Sequence, residues 1–140
     1  MSLTFHPSPG MVLICDFNTG FKAPEMIKRR PVVVISPRLR RSRQLCTIVP
    51  LSTTAPNPVE TFHHRMSPQS LPGKLAEKES WAKCDMLYTV SLERLDRVMI
   101  GRDRQGNRIY VAEGVTANDL TAIRRAVLFS LGIPMQCACA

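Results

Sequence analysis

Long apolar runs are missing from these 140 residues. The longest, Val32 to Ile35 and Ala126 to Phe129, fall far short of the roughly 20 residues that span a bilayer. The opening stretch, MSLTFHPSPG, has no basic segment leading into an apolar one, so no secretory leader is read and a soluble, cytoplasmic protein without a membrane partner is expected. Cysteine is odd in number and scattered (Cys15, Cys46, Cys84, Cys137, Cys139), with no pair of Cys or His clusters at zinc spacing. That excludes a disulfide framework and a zinc finger, so reduced thiols and no metal or other cofactor are expected. Internal repeats and low-complexity tracts are also lacking. The chain reads as a single domain over 1–140, with 67–80 as an exposed excursion and 134–140 as a tail. Acidic charge is scarce. Eleven Asp and Glu face 19 Lys and Arg, for a formal net charge of +8 and a pI near 9.8. Such a balance favours a polyanionic partner, nucleic acid first and an acidic protein second.

What is present is a series of short apolar segments. Met11 to Phe17 follows Pro9-Gly10 and predicts a strand, and residues 18–30, with Gly20 and Pro24, predict a loop. Val32 to Ile35 is a β-branched run between Pro31 and Pro37, which predicts a central strand buried on both faces. Leu45 to Leu51 repeats the pattern. Prolines 56, 58, 68 and 72 leave room for one strand within Val59 to Met66. Trp81 to Val90 and Arg108 to Ala112 predict two more. The period then changes: Leu120, Ile123, Val127 and Leu131 fall at helical spacing, with Thr116 and Asp119 as a start signal and Gly132 and Pro134 as a stop. Strands without intervening helices, followed by one helix, predict a mainly β fold: a small twisted antiparallel barrel carrying a C-terminal helix, with an open α+β sheet as the alternative.

The densest charge lies in Lys28 to Arg43, where Lys28, Arg29, Arg30, Arg38, Arg40, Arg41 and Arg43 meet no acid. Four intervening strand residues separate the two clusters by roughly 13 Å. Residues 38–43 read equally well as a solvated basic edge. Arg30 differs, because it stands directly before Pro31 at the mouth of the buried strand. Adjacent His63 and His64 would face opposite ways on a strand, so at most one could reach a site, and beside Arg65 substrate contact is preferred to catalysis. Trp81 reads as a core or interface residue rather than a stacking platform.

In order along the chain come GMVLICDF at 10–17, Glu25 five residues before Arg30, RPVVVIS at 30–36, VPLST at 49–53, KCD at 83–85, TVSLERL at 89–95, and a closing helix ending in LGI. Together these blocks resemble the MazF/PemK toxins over about residues 10–133. The resemblance implies an SH3-like barrel, usually a homodimer, that cuts single-stranded RNA without metal and is restrained by an acidic antitoxin protein. It implies a main catalytic cation at Arg30, a hydroxyl at Ser52, and an acid/base or phosphate-stabilising pair at Lys83 and Asp85. Glu25, Lys28, Arg29, Thr53, His64 and Arg65 are expected to contact substrate, and Glu25 reads equally well as a carboxylate holding Arg30 or as an ordinary loop residue. Pro24 stands where some PemK-type members have a histidine.

The chemistry of such a cut fits these residue types. Attack of a ribose 2′-OH on its neighbouring phosphate needs a proton acceptor, a proton donor and positive charge at the phosphorane. Arginine brings a planar, permanently charged fork matched to two phosphate oxygens. Lys83 and Asp85, two apart on a strand, could instead neutralise each other. Two other functions compete: a nucleic-acid-binding barrel without turnover, and a toxin that poisons gyrase, against which the set Arg30, Ser52 and Asp85 argues.

Overall fold

The computed structural model describes residues 3, 5–37, 44–111 and 113–134. Nine strands and one helix follow in order: β1 (Val12–Asp16), β2 (Arg29–Val34), β3 (Leu45–Ser52), β4 (His63–Arg65), β5 (Trp81–Lys83), β6 (Tyr88–Ser91), β7 (Leu95–Arg97), β8 (Met99–Arg102), β9 (Arg108–Tyr110) and α1 (Ala117–Ser130). The antiparallel main sheet has the order β4-β5-β3-β2-β1-β7. The long strand β3 branches: Leu45 to Ile48 pair with β6, and Leu51 and Ser52 pair with β5. β6 and β7 are joined by a single 3-10 turn, Leu92–Arg94, rather than by a ladder. The sheet therefore curls into a barrel-like body without closing. β8 and β9 form a separate hairpin.

Strand alternation makes two cores, one on each face of the sheet. Cys46 and Ile48 of β3, with Val32, Val34, Leu13 and Cys15, face Phe17, Val90, Leu92 and Leu95. Val49 and Leu51, with Val33, Val12 and Ala82, face Ile123, Ala126 and Val127 of α1. Val32, Val33 and Val34 are all fully buried. A β-branched run needs cover on both sides, and this sheet supplies it.

The helix begins where Thr116 accepts a hydrogen bond from the Asp119 amide at 3.1 Å, a cap of the kind expected from the sequence and typically worth about 0.5–2 kcal/mol. It ends in the left-handed Gly132, with Ile133 N–H donating to the Leu128 carbonyl at 2.9 Å. Ile123 and Val127 are buried as predicted, but Leu131 is 58% exposed, because it falls past the last helical residue and points off the sheet.

Three further expectations are corrected. Trp81 to Val90 is two strands rather than one, divided by a turn at residues 84–87 that carries the chain from β3's second half to its first. β7 and β8 went unread, being short strands in a polar stretch. Residues 67–80 are not simply an exposed excursion: they form two 3-10 turns, Pro68–Ser70 and Gly73–Glu77, and Ser70, Leu71 and Ser80 are buried, Ser70 against Thr116 at the helix start. The cations Arg38, Arg40, Arg41 and Arg43, the terminal Cys137 and Cys139, and Ala112 lie outside the described residues.

Before α1 the chain crosses the start of β1 at close range. Val115 N–H donates to the Gly10 carbonyl at 2.8 Å, and a Cβ on Gly114 would stand 2.7 Å from that same oxygen. Because the obstacle is backbone, Gly114→Ala should destabilise the fold by about 1–3 kcal/mol, read as a lowered Tm. An unchanged Tm would mean that this crossing is not tightly held.

Candidate functional site

Arg30 is the second residue of β2, opposite Cys15 of β1. Its Nε donates to the carbonyl of Ile27 at 3.2 Å, which fixes the root of the guanidinium. No acid pairs with it among the described residues, so the two terminal nitrogens remain available to an anion. The β2–β3 register ends at Val32 opposite Pro50; carried two residues further, it sets Arg30 across from Ser52. Ser52 in turn pairs with Trp81, and Trp81 with Arg65. One row thus runs Arg30, Ser52, Trp81, Arg65 over four strands. Directly opposed residues share a face, and this is the face away from α1.

Ser52 is buried, and its Oγ accepts from the Thr54 amide at 3.1 Å, which leaves the hydroxyl hydrogen free to donate. Thr53 is exposed beside it. Glu79 links the far end of the row, accepting from the Trp81 indole at 2.7 Å and pairing with Arg65 at 3.5 Å. The latter pair is exposed and contributes little to stability.

Lys83 belongs to the next row of the same face, opposite His63 of β4. Two strand spacings set it about 10 Å across the sheet from β2. Asp85 is exposed in the turn after β5 rather than on the strand, and no ion pair joins it to Lys83. The mutual neutralisation considered from strand geometry is therefore overturned: the strand ends at Lys83. The extended register sets Arg30 and Ser52 on one face, with Lys83 on that face two strands away and Asp85 in the turn beyond it. Cys84 between them is buried, and burial pushes its thiol up to about 12. Cys15 is driven to about 12 by the same cause, and Cys46 is also raised. Such thiols carry no nucleophilic role.

The loop before Arg30 is held by aromatic packing. Phe17, Phe21 and Tyr88 form a triangle with ring centroids 4.9 to 5.5 Å apart, and the Tyr88 hydroxyl accepts from the Met26 amide at 2.9 Å. Arg94 lies 4.8 Å over the Phe21 ring and donates to the carbonyls of Asp16 and Thr19 at 3.0 and 2.8 Å. Glu25 does not hold Arg30: its carboxylate accepts from the Lys22 amide at 2.8 Å and closes its own turn. Lys28 takes a left-handed conformation, φ 71°, and its carbonyl accepts from Phe17 N–H at 2.8 Å, so Lys28 and Arg29 emerge exposed at the hairpin end. The sequence reading missed Tyr88 and Arg94 as supports, although TVSLERL contains the arginine.

His64 faces the helix instead of the Arg30 side. Its Nε2 lies 2.8 Å from the Asp119 carboxylate, which also accepts from Ser67 N–H at 3.0 Å, Ser67 Oγ at 3.1 Å and Ser70 Oγ. The expected substrate contact of His64 at the Arg30 site is thereby corrected, since the alternation of β4 turns this ring to the opposite face. Burial works to raise the Asp119 pKa, but the hydrogen bonds from Ser70, His64 and Ser67 outweigh it and hold the carboxyl below its ordinary 3.8. Among the described residues no three His, Cys, Asp or Glu side chains converge to hold a metal ion.

A family model described as PemK-like, MazF-like toxin of type II toxin-antitoxin system matches residues 8–128. YifN of Escherichia coli (strain K12) is 28% identical over 150 residues, spanning 94% of this chain and 95% of that protein. Among solved structures, an endoribonuclease in complex with its cognate antitoxin from Mycobacterial species superposes with a TM-score of 0.62 at 21% identity, covering 92% of this chain and 98% of that one. MazF from Deinococcus radiodurans gives a TM-score of 0.59 at 19% identity, covering 92% and 99%.

The depressed Asp119 pKa makes a statement about stability. Its contribution is complete above the unfolded-state pKa and is lost as pH falls through the folded-state value. Asp119→Asn should cost about 1–3 kcal/mol at neutral pH, because an amide cannot accept from every surrounding donor, and should flatten the acid limb of the stability curve. Denaturant melts of both proteins from neutral pH downward check this. Parallel acid limbs would remove Asp119 as their source.

Proposed function

The chain belongs to the PemK-like, MazF-like family of type II toxin-antitoxin toxins, and from that premise we propose that it is an endoribonuclease cutting single-stranded RNA through the face that carries Arg30 and Ser52. The observation that carries this reading is the guanidinium of Arg30, fixed through Nε by the Ile27 carbonyl, free of any acid among the described residues, and in register with the Ser52 hydroxyl.

In this reading the 2′-oxygen forms a bond to the adjacent phosphorus as the bond to the 5′-oxygen breaks, giving a 2′,3′-cyclic phosphate and a free 5′-hydroxyl. The nucleophile's proton passes to a base and the leaving oxygen receives one from an acid. Arg30 neutralises the charge that accumulates on the non-bridging oxygens, in a partly desolvated setting where that charge costs most. Ser52 donates its hydroxyl hydrogen to one of those oxygens. Asp85 and Lys83, further along the face, are the chain's candidates for proton exchange or for the next phosphate. Lys28, Arg29, Thr53 and Arg65 rim the face and hold the strand. Arginine provides the charge without a metal, so cleavage proceeds in EDTA.

The proposal extends to partners and place. An acidic antitoxin segment would lie across the same cationic face, and long-range attraction to a chain of net charge +8 would speed its association. A second copy would cover apolar surface left open by the monomer, including Met99, Ile100 and Ile109 of the β8–β9 hairpin. Sedimentation showing only a 15.7 kDa species at micromolar concentration would remove the dimer. The cytoplasm, where RNA is found, is the proposed location, and among the described residues no helix is long and apolar enough to cross a membrane.

Arg30→Lys should keep most RNA binding but slow single-turnover cleavage by about 10² or more, because a point charge cannot make the bidentate contact. Arg104→Ala, on the exposed hairpin, should leave the cleavage step near wild type and weaken binding only slightly, with a shallower salt dependence. Equal rate losses in the two variants would reduce the basic face to a collective attractor. Loss of activity on chelation, restored by magnesium, would overturn the metal-free route.

A further inference from the structure

A second cleft lies away from the Arg30–Ser52 row, between β4 and α1. It encloses about 690 Å³, within the range of sites that seat small ligands. One wall is Thr61 and His63 with the edge of His64; the other is a stripe along α1 that includes Thr121, Arg125 and Phe129. These three stand four residues apart, so they share one face of the helix at intervals of about 6 Å.

The chemistry of the lining is specific. His63 accepts the Glu60 amide proton on Nδ1 at 3.0 Å, which makes Nε2 the protonated, donating nitrogen of the ring. Arg125 is exposed and has no hydrogen bond or ion pair among the described residues. Asp119, the one carboxylate on the same helix, is already committed to His64, Ser67 and Ser70. One turn beyond Arg125, Phe129 is 50% exposed, an aromatic ring that the monomer's packing leaves open. A free guanidinium, a ring N–H and a hydroxyl beside an open aromatic face match a phosphate with its base.

The cleft also continues from the face already described. His63 is the cross-strand neighbour of Lys83, on the Arg30 side of the sheet, while His64 turns to the helix side. β4 is the edge of the main sheet, so a strand of RNA leaving Lys83 passes over His63 and reaches this cleft without crossing the core.

We propose that the cleft between β4 and α1 is a subsite for a nucleotide of the RNA chain outside the cleaved bond, with its phosphate on Arg125 and His63 and its base on Phe129. The inference rests on the reading of the chain as an RNA-cleaving enzyme, and it adds a determinant of affinity and length preference. It predicts that RNA long enough to reach the cleft is held more tightly than RNA spanning only the Arg30 row.

Equilibrium binding of 2′-O-methylated RNA, which keeps its charge and bases but lacks the attacking hydroxyl, tests this independently of turnover. With oligonucleotides of about ten and about three residues as probes, Arg125→Ala and Phe129→Ala should each weaken the longer probe by about five- to tenfold and leave the shorter unchanged. Arg125→Lys should recover part of the loss. On cleavable RNA of the longer length, KM should rise with kcat unchanged. Both side chains are exposed, and an unchanged Tm verifies the fold. Equal affinities for variants and wild type, or equal losses on both lengths, overturn the subsite. So does conversion of a dimer to monomers by Phe129→Ala, which would assign the ring to a second copy. Loss of binding to an acidic peptide with RNA binding intact likewise overturns it, assigning the cleft to a protein partner. If the wild-type chain cleaves no RNA but the length-dependent loss of binding persists, the enzymatic reading fails and the subsite stands.

Discussion

Burial of β2 and β3 on both faces is the constraint from which the rest of the architecture follows. Three successive valines with no exposure need a core above and a core below, and the chain meets that need with different material on each side. Aromatics and short strands close one face, and α1 with the 67–80 segment closes the other. A strand held on both sides cannot slip by one residue without turning every buried side chain outward. The β2–β3 register, which when extended sets Arg30 across from Ser52, is therefore fixed by hydrophobic burial, and the polar face inherits its geometry from the core beneath it.

That inheritance explains how the half-buried Arg30 is positioned with no partner carboxylate among the described residues. A salt bridge would cancel the charge that a phosphate needs. The Ile27 carbonyl orients the side chain through one nitrogen and leaves the charge intact. The loop that presents this carbonyl is held by Tyr88 and Phe21 and by Arg94, whose own charge is spent on backbone carbonyls and an aromatic face. The two arginines do opposite work: one is saturated and structural, the other deliberately unsaturated.

On the opposite face, Asp119 ties three segments together: its carboxylate holds β4 through His64 and the first 3-10 turn through Ser67 and Ser70, and its amide is capped by Thr116 at the start of its own helix. Burying a carboxylate is costly unless its lone pairs are filled, and here hydrogen-bond donors surround it. The proline-rich segment is docked by this network, which is why it packs instead of looping into solvent.

How much was legible in the chain depends on the range of the interaction concerned. Local patterns carried the valine strand, the β1 and β3 segments, the Thr116 cap and the Gly132 stop, because periodicity, proline and glycine act within a turn or a strand. The ordered blocks carried the family. The division of Trp81 to Val90 into two strands, the turning of His64 away from its neighbour's face and the commitment of Glu25 to its own loop were decided only by the tertiary structure. Each depends on which strand edge, carbonyl or buried donor lies opposite. A sequence states which groups a residue can offer, but pairing across the sheet determines which of those groups are used.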